Sequence, residues 1–477
     1  MKKIKMYKIN VTPNKKLKLS TGYLVFIIYL ANYSISFAQN INQKNITLLP
    51  SSTSEAVEFG AYSTHLKYTP EWDNLWPVSE ISDVVVRFGN KEPRFVFWRG
   101  SSYIPCWATY DGAWFTNEFF ERRGGATSGT ISMVEPMSDK QCRYSNVRII
   151  ENNDARVIVH WRYAPTDLEY SMAYLDDETN WGDWADEYYI LYPDAVGIRK
   201  STLFTSALDE WIEYQESIVI NQPGSFPENS LNYDAVTLLN LKGNAKTYFW
   251  TEEGAPKFEN VPQEACIQKI NFKSEYKPFT IVNPENFEVR SYGGHAPGSH
   301  FNFWDHWPVS QTKSHTRAAK SADQPSHTSL SSIRWNSSSE TDNSRTWIMM
   351  HGMINSDDDN LVQLAASWIH PAELKFLAGN YIDEGYDKSQ RAYVLTAADG
   401  AGTLNFELLA DKNSPLVNPA FLIKNWGESN VNLKINDQVV ERGDNFRAGH
   451  ISNINGTDLI VWLKLTSDMS VKILIYK

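Results

Sequence analysis

Between Asp83 and Phe120 apolar and polar positions alternate in short runs: DVVVRF, RFVFWRG, IPCWATY and AWFTNEFF. A period of two marks strands, because successive side chains leave opposite faces of a pleated backbone. Gly89-Asn90 and Asp111-Gly112 punctuate these runs as turns. A second set follows, NVRII, RVIVHWRY, LEYSMAYL, EYYILY and VGIRKSTLF, broken by Asn152-Asn153-Asp154 and Pro193-Asp194. Further strands are predicted at AVTLLNLK, AKTYFWTE, RTWIMMHG, RAYVLTA and LNFELLA. Helical spacing is scarce. LVQLAASWI, Leu361–Ile369, is the best short helix candidate, although it also reads as a strand.

The expected fold class is therefore all-β. Successive four-strand groups without helices predict a β-propeller, with a sandwich as the alternative. No clean repeat marks regular blades, so any blades are divergent. Ser310–Ser344, rich in Ser, Thr and Lys, reads as a long loop. From Pro415 onward FLIKNW, NLKIND, DLIVWLKL and SVKILIY predict closing strands or a small sandwich-like module. The expected domains are thus a catalytic unit over 39–413 and a C-terminal module over 414–477.

Residues 1–38 read as a signal peptide. Lys2, Lys3, Lys5, Lys8, Lys15, Lys16 and Lys18 form a basic region, Tyr23–Ala31 is apolar, and Ser36-Phe37-Ala38 offers a cleavage site before Gln39. The apolar run is short for a membrane span. With no cysteine beside the cleavage site, a lipid anchor is not expected. The expectation is an exported monomer without a membrane anchor, periplasmic in preference to extracellular.

The seven lysines of that segment leave 38 basic against 56 acidic residues, a net charge of −18. Such a balance argues against nucleic acid as a partner. It also requires a local cationic site for any polyanionic substrate. The three cysteines, Cys106, Cys142 and Cys266, are too few and too odd in number for a disulfide framework. The 17 Trp, 24 Tyr and 22 Phe residues suit sugar stacking, and large β cores as well.

Candidate chemistry concentrates between Arg94 and Tyr163, where Arg99, Asn117, Arg143, Arg148, His160 and Arg162 stand among aromatic-rich strands. Arginines grip carboxylates and sulfates. A histidine moves a proton near neutral pH. Together they imply a site that binds an acidic sugar and does proton chemistry on it. In VIVHWRY, His160 and Arg162 share one face. Tyr188 and Tyr189 take opposite faces of EYYILY, so one can be a catalytic phenol while the other packs. Arg199 lies in the following strand, where hairpin pairing would bring it near the tyrosines. Arg99, Asn117 and Arg148 are candidate substrate contacts. The competing structural readings are a core histidine, packing tyrosines and surface arginines.

FVFWRGSSYIPCW, WFTNEF, CRYSNVRII with VIVHWRYA, and EYYILYPDAVGIRK resemble the β-propeller polysaccharide lyases that cleave ulvan, best over Tyr62–Gly224. The related ulvan oligosaccharide dehydratase activity also fits. This resemblance implies a seven-bladed propeller, a His/Tyr pair for β-elimination, an arginine on the uronate and, in some members, a structural zinc. One departure stands out: Asn146 occupies the position where such lyases are expected to place a second histidine, so Asn146 becomes a carboxylate-binding candidate. The expected partner is an acidic sulfated poly- or oligosaccharide.

GGHAPGSHFNFWDHWP groups His295, His300 and His306, with Cys266 upstream. Zinc accepts such nitrogen and sulfur ligands, so Cys266, His295, His300 and His306 are candidate ligands for one structural zinc. No organic cofactor is expected. Two rival functions remain. A glycoside hydrolase would need facing carboxylates, for which Glu118, Glu121, Asp183, Asp186 and Glu187 are available. A non-catalytic glycan-binding protein would use the same arginines and aromatics.

Overall fold

The computed structural model describes residues 58–66, 80–89, 93–118, 120–211, 215–222, 224–304, 307, 325–398 and 402–477. The predicted signal peptide lies outside them. All belong to one unit, Leu49–Lys477. No helix among them is long and apolar enough to cross a membrane.

Two large antiparallel sheets carry the fold. The first has eight strands in the order Gly60–Thr64, Asp83–Arg87, Arg94–Phe97, Pro105–Ala108, Trp114–Glu118, Gln215–Asn221, Ser326–Arg334 and Glu288–Ser291. The second has ten. Its path runs Ala245–Tyr248, Leu231–Asn240, Ala265–Phe272, Lys277–Ile281, Ser344–Ile354, Val196–Phe204, Trp184–Tyr192, Val157–Tyr163 and Asn146–Asn152, with Ser339–Thr341 paired to Ser344–Ile354. The all-β expectation holds. The sheets do not take the form of four-stranded blades. Instead Trp114–Glu118 joins Gln215–Asn221, and Val196–Phe204 joins Ser344–Ile354, so the consecutive hairpins merge into wide sheets.

The two sheets pack face to face. Phe95 and Phe97 meet the Tyr189 ring at 5.2 and 5.3 Å between centroids. Phe115 meets Phe272. Trp107 Nε1 donates to His351 Nδ1 at 2.8 Å. Burial pushes His351 down to about 3, so the ring is neutral and free to accept. Polar bridges close the far end of the seam. Thr280 Oγ1 donates to Asn117 Oδ1 at 3.1 Å, and Ser217 Oγ donates to Gln268 Oε1 at 2.5 Å. Under the Tyr189 ring, Arg199 holds Glu187 through Nε at 2.6 Å and Nη2 at 2.8 Å. Tyr163 and Tyr189 donate to the same carboxylate at 2.8 and 2.5 Å. Glu187 is fully buried, and this quartet satisfies it.

The outer face of the ten-stranded sheet is partly covered. Helix α1, Asp358–Ile369, is capped by Asp357, whose side chain accepts from Asn360 N. Its buried positions Leu361, Leu364, Ala365, Trp368 and Ile369 follow helical spacing. They join Ile190, Ile198, Met350, Val394, Leu422 and Trp462 in one core. The stretch that read equally as strand is thus a helix, because its apolar stripe meets two sheets at once.

A second sandwich follows. Glu373–Ala378 and Thr403–Leu409 pair into the same sheet as Val471–Tyr476. The facing sheet includes Ala392–Ala397, Ala420–Lys424 and Gly456–Leu463, and the core between them holds Leu404, Phe406, Phe421, Ile423 and Ile473. Strands on both sides of the expected 413/414 boundary share this core. Arg391 fixes this module by a bidentate grip on Asp194 at 3.1 and 2.8 Å.

The Arg199–Glu187 pair yields a test. Arg199→Met leaves a buried carboxylate without its cation, which should cost about 3–5 kcal/mol. Chemical denaturation should show the midpoint falling with an unchanged slope. A loss under about 1 kcal/mol would mean the pair is dispensable.

Candidate functional site

The predicted site residues separate into three places. On the uncovered part of the ten-stranded sheet's outer face, Arg148 pairs with His160 and His160 with Tyr188, while Asn146 pairs with Arg162. His160 is buried, and both of its ring nitrogens are engaged. Arg148 Nε donates to Nδ1 at 3.0 Å, and Nε2 meets Asp186 Oδ1 at 2.6 Å. With Nδ1 accepting from Arg148, Nε2 is placed to donate to Asp186. Tyr188 stacks on the ring at 4.5 Å. Arg162 holds Asp186 at 3.0 Å and lies 5.0 Å over the Trp184 ring. His160, Arg162 and Arg148 hold Asp186 below the usual carboxylate range despite its partial burial.

The second place is the interior. Tyr188 and Tyr189 do take opposite faces, and Arg199 follows Tyr189 into the seam. The expected quartet His160, Tyr188, Tyr189 and Arg199 is therefore divided by the sheet. Burial pushes the Tyr189 phenol well up even beside Arg199. Asn117 bridges the two sheets, accepting from Thr280 and Gln215. Arg99 is buried against Asp83, whose Oδ1 accepts its backbone N at 2.6 Å. Arg99 and Asn117 thus tie the framework together.

The third place is the predicted zinc cluster. Cys266 is enclosed in the apolar core under α1, and burial pushes its thiol up to about 12. That is a poor setting for a thiolate ligand. His295 is exposed, and His300 packs against the Tyr233 ring at 4.2 Å. His306 lies outside the described residues. No group of three or more His, Cys, Asp or Glu side chains among the described residues is placed to hold a metal. The described members of the set do not fit a zinc site.

A different site emerges on the outer face of the eight-stranded sheet. Glu118 and Glu216 are directly opposed across neighbouring strands. Their chain neighbours Asn117 and Ser217 point into the sandwich, so alternation sends both glutamates outward. There they line a cavity of about 750 Å³ together with Glu121, Arg122, Arg123, Glu135, Glu210, Tyr292, Trp304, His327 and Arg334. Its size is typical of small-molecule sites. Tyr292 donates to Glu216 Oε2 at 2.8 Å. Arg122 reaches toward Glu210 at 3.9 Å. Glu118 is 3% exposed, and neither carboxyl oxygen has a hydrogen-bond partner among the described residues.

Burial is the main cause of altered acidity here, and the crowding of carboxylates adds to it. It pushes Glu118 and Glu135 well above the ordinary range and Glu216 up to about 8. Near pH 7 the cavity therefore holds protonated carboxyl groups beside guanidinium groups. Glu118 and Glu121 stood only among the hydrolase candidates of the sequence reading. Glu135, Glu216, Tyr292, Arg122, Arg334, Trp304 and His327 were missed. One signal was available: WFTNE and QESIVIN each embed a glutamate in a strand buried along its whole length. Such an acid needs either a partner or a function.

No family model and no curated protein matches the chain. Among solved structures, an α-mannosidase from Enterococcus faecalis V583 aligns at 9% identity over 69% of this chain and 37% of its own, with a TM-score of 0.32. A glycosyl hydrolase family 38 protein from Enterococcus faecalis aligns at 10% identity over 80% and 44%, with a TM-score of 0.31. Galactose 1-epimerase from Lactobacillus acidophilus NCFM aligns at 8% identity over 62% and 99%, with a TM-score of 0.28. The chain spans less than half the length of the first two. Likeness at this level carries no functional argument.

Proposed function

We propose that this protein is a carbon–oxygen lyase that performs β-elimination on a uronic acid of an ulvan-type oligosaccharide, in the Glu118–Glu135–Glu216 cavity. The observation that carries this reading is the meeting of guanidinium groups and high-pKa carboxyl groups in one cavity. β-Elimination needs both. A cation must neutralise the uronate carboxylate so that the C5 proton becomes acidic. A base must take that proton, and an acid must protonate O4 as the C4–O4 bond breaks.

The assignment follows the acidities. Arg122 and Arg334 face the uronate carboxylate. Glu216, raised to about 8, is in its ionised form a stronger base than an ordinary carboxylate, and Tyr292 orients it. Glu118, held protonated and unpartnered, donates to O4. The electron pair of the C5–H bond becomes the C4=C5 double bond. The leaving group is a sugar in a lyase and water in a dehydratase. The face built on His160 and Arg162 then serves the fold or peripheral binding, because both His160 nitrogens are already engaged.

One observation favours a second reading. Two glutamates directly opposed in one cavity also suit a glycoside hydrolase. Product analysis separates the two. Purified protein should generate ultraviolet absorbance from the conjugated double bond on ulvan or ulvan oligosaccharides. Chain shortening alongside it identifies a lyase, and loss of one water at constant chain length identifies a dehydratase. Saturated products would move the assignment to a hydrolase.

Glu118→Gln keeps the shape but removes the transferable proton. We expect kcat to fall by about 100-fold or more with KM little changed. Retention of more than a tenth of the activity would remove Glu118 from the acid role.

The acidity of Glu216 has two pH consequences. First, kcat/KM should rise from pH 6 toward about 8 as the base ionises. Second, stability should move the other way. The folded state keeps a proton on Glu216 that the unfolded chain has released, so its protonation supports the fold fully below pH ~4.5 and is lost as pH rises through about 8. Thermal melting should be higher at pH 5.5 than at pH 8.5, and Glu216→Gln should flatten that difference. A melting temperature that rises over this window in the wild type, with no flattening in the variant, contradicts the assignment.

A further inference from the structure

Beside the cavity lies a second depression, an open groove of about 1200 Å³. Tyr144, Trp181 and Phe204 are among its lining side chains. Two of these rings are largely open to solvent: Trp181 is 59% exposed and Phe204 is 41% exposed. The segment that carries Trp181 is a fixed turn. Asp176 accepts from Thr179 N and Oγ1 at 2.8 Å each, and Asp176 N donates to Trp181 O at 2.9 Å. Trp181 also rests on Trp184, 5.9 Å between centroids, and Trp184 meets Tyr144 at 6.4 Å. The platform is therefore built before any ligand arrives. Exposed aromatic rings held rigid in this way suit the apolar face of a sugar ring.

The groove and the cavity share a wall. Arg122 lines the cavity, and its Nη1 contacts Tyr174 OH, which lines the groove. The guanidinium lies 5.0 Å over the Tyr174 ring and 5.6 Å over the Trp211 ring. Trp211 in turn donates from Nε1 to Asp183 Oδ2 at 2.7 Å, and Asp183 is again a groove residue. A chain with one sugar in the cavity would have its next residues at the groove.

The charges of the two depressions differ. The cavity wall carries three arginines beside its five glutamates, whereas the groove wall carries Asp176, Asp177 and Asp183 and, among the described residues, no Lys, Arg or His. Asp176 is held ionised by its Thr179 bonds. Sulfate esters would be repelled there, while sugar hydroxyls find acceptors. Cations stand at its rim, Arg122 at Tyr174, and Arg143 and Lys140 over the Tyr170 ring at 3.9 and 5.1 Å.

We propose that this groove is a binding subsite for an uncharged, unsulfated sugar residue of the oligosaccharide whose uronate occupies the cavity. The subsite rests on the reading of the cavity as the reaction site. Charge selection then divides the substrate into two parts. The uronate goes to the arginines and the neutral residue goes to the aromatic groove.

Affinity electrophoresis of the full chain through gels containing ulvan oligosaccharides, native or chemically desulfated, tests this without requiring turnover. Desulfated fragments should retard the protein more strongly than native ones. Trp181→Ala should weaken binding to the desulfated fragments about tenfold. Phe249→Ala, an exposed aromatic at the opposite edge of the ten-stranded sheet, should change nothing. Asp177→Asn should improve retention on the sulfated fragments. Equal binding of both fragment types, or unchanged binding in Trp181→Ala, overturns the subsite. Retention that depends on Trp181, with no new ultraviolet absorbance on any uronate glycan, would uphold the subsite and discard the elimination chemistry.

Discussion

Everything in this protein depends on the seam between the two wide sheets. Phe95, Phe97, Trp107, Tyr189 and His351 interlock there, and the side chains that cannot be apolar are satisfied in place. Such a seam fixes the facing of every strand, because a slip of one residue would turn each inward side chain outward. Thr280 and Gln268 reach across to Asn117 and Ser217, which holds the adjacent strands in register. Glu118 and Glu216 are sequence neighbours of those two residues. They point away from the seam because Asn117 and Ser217 point into it. The candidate site is thus the reverse face of the core.

This arrangement sets the electrostatics of the cavity. Like charges directly opposed on neighbouring strands are unfavourable. The conflict is relieved when one or more of the carboxyl groups keeps its proton, and burial drives the same outcome. By contrast, Glu187 is just as deeply buried but sits under Arg199 with two tyrosine donors, so its charge is matched. Two buried glutamate environments in one fold therefore have opposite meanings. The matched one holds the sheet together. The unmatched one, with both Glu118 oxygens lacking partners, is an unmet demand that a substrate can satisfy.

Much of this was legible in the sequence and some was not. Period-two alternation located the strands and put His160 with Arg162 on one face and Tyr188 opposite Tyr189, as the sheets have it. It could not reveal which hairpins merge. Trp114–Glu118 pairs with a strand about a hundred residues later in sequence, and Val196–Phe204 with one further still, and a local pattern carries no record of such closure. The same blindness hid the Glu118–Glu216 pair. It hid as well that Thr403–Leu409 pairs with Val471–Tyr476 across the expected 413/414 boundary. The histidines grouped in sequence stand apart in the fold: His295 is exposed, His300 packs on Tyr233, and Cys266 faces an apolar core.

The arginines make the same point from the opposite direction. Arg99, Arg148, Arg162 and Arg199 were prominent because they stand among aromatics, yet the guanidinium of each is held by an acid or a histidine within the fold. Arg122 drew no notice in sequence, since Glu121-Arg122-Arg123 reads as a solvated charge run. Its position gives it weight: it lies on the wall between an acidic cavity and an aromatic groove, and is held by Tyr174 and Trp211. Its guanidinium is fixed by aromatic faces, with Glu210 3.9 Å away as its acidic neighbour. In a chain with net charge −11, that is where an anionic sugar would find local attraction that the molecule as a whole does not offer.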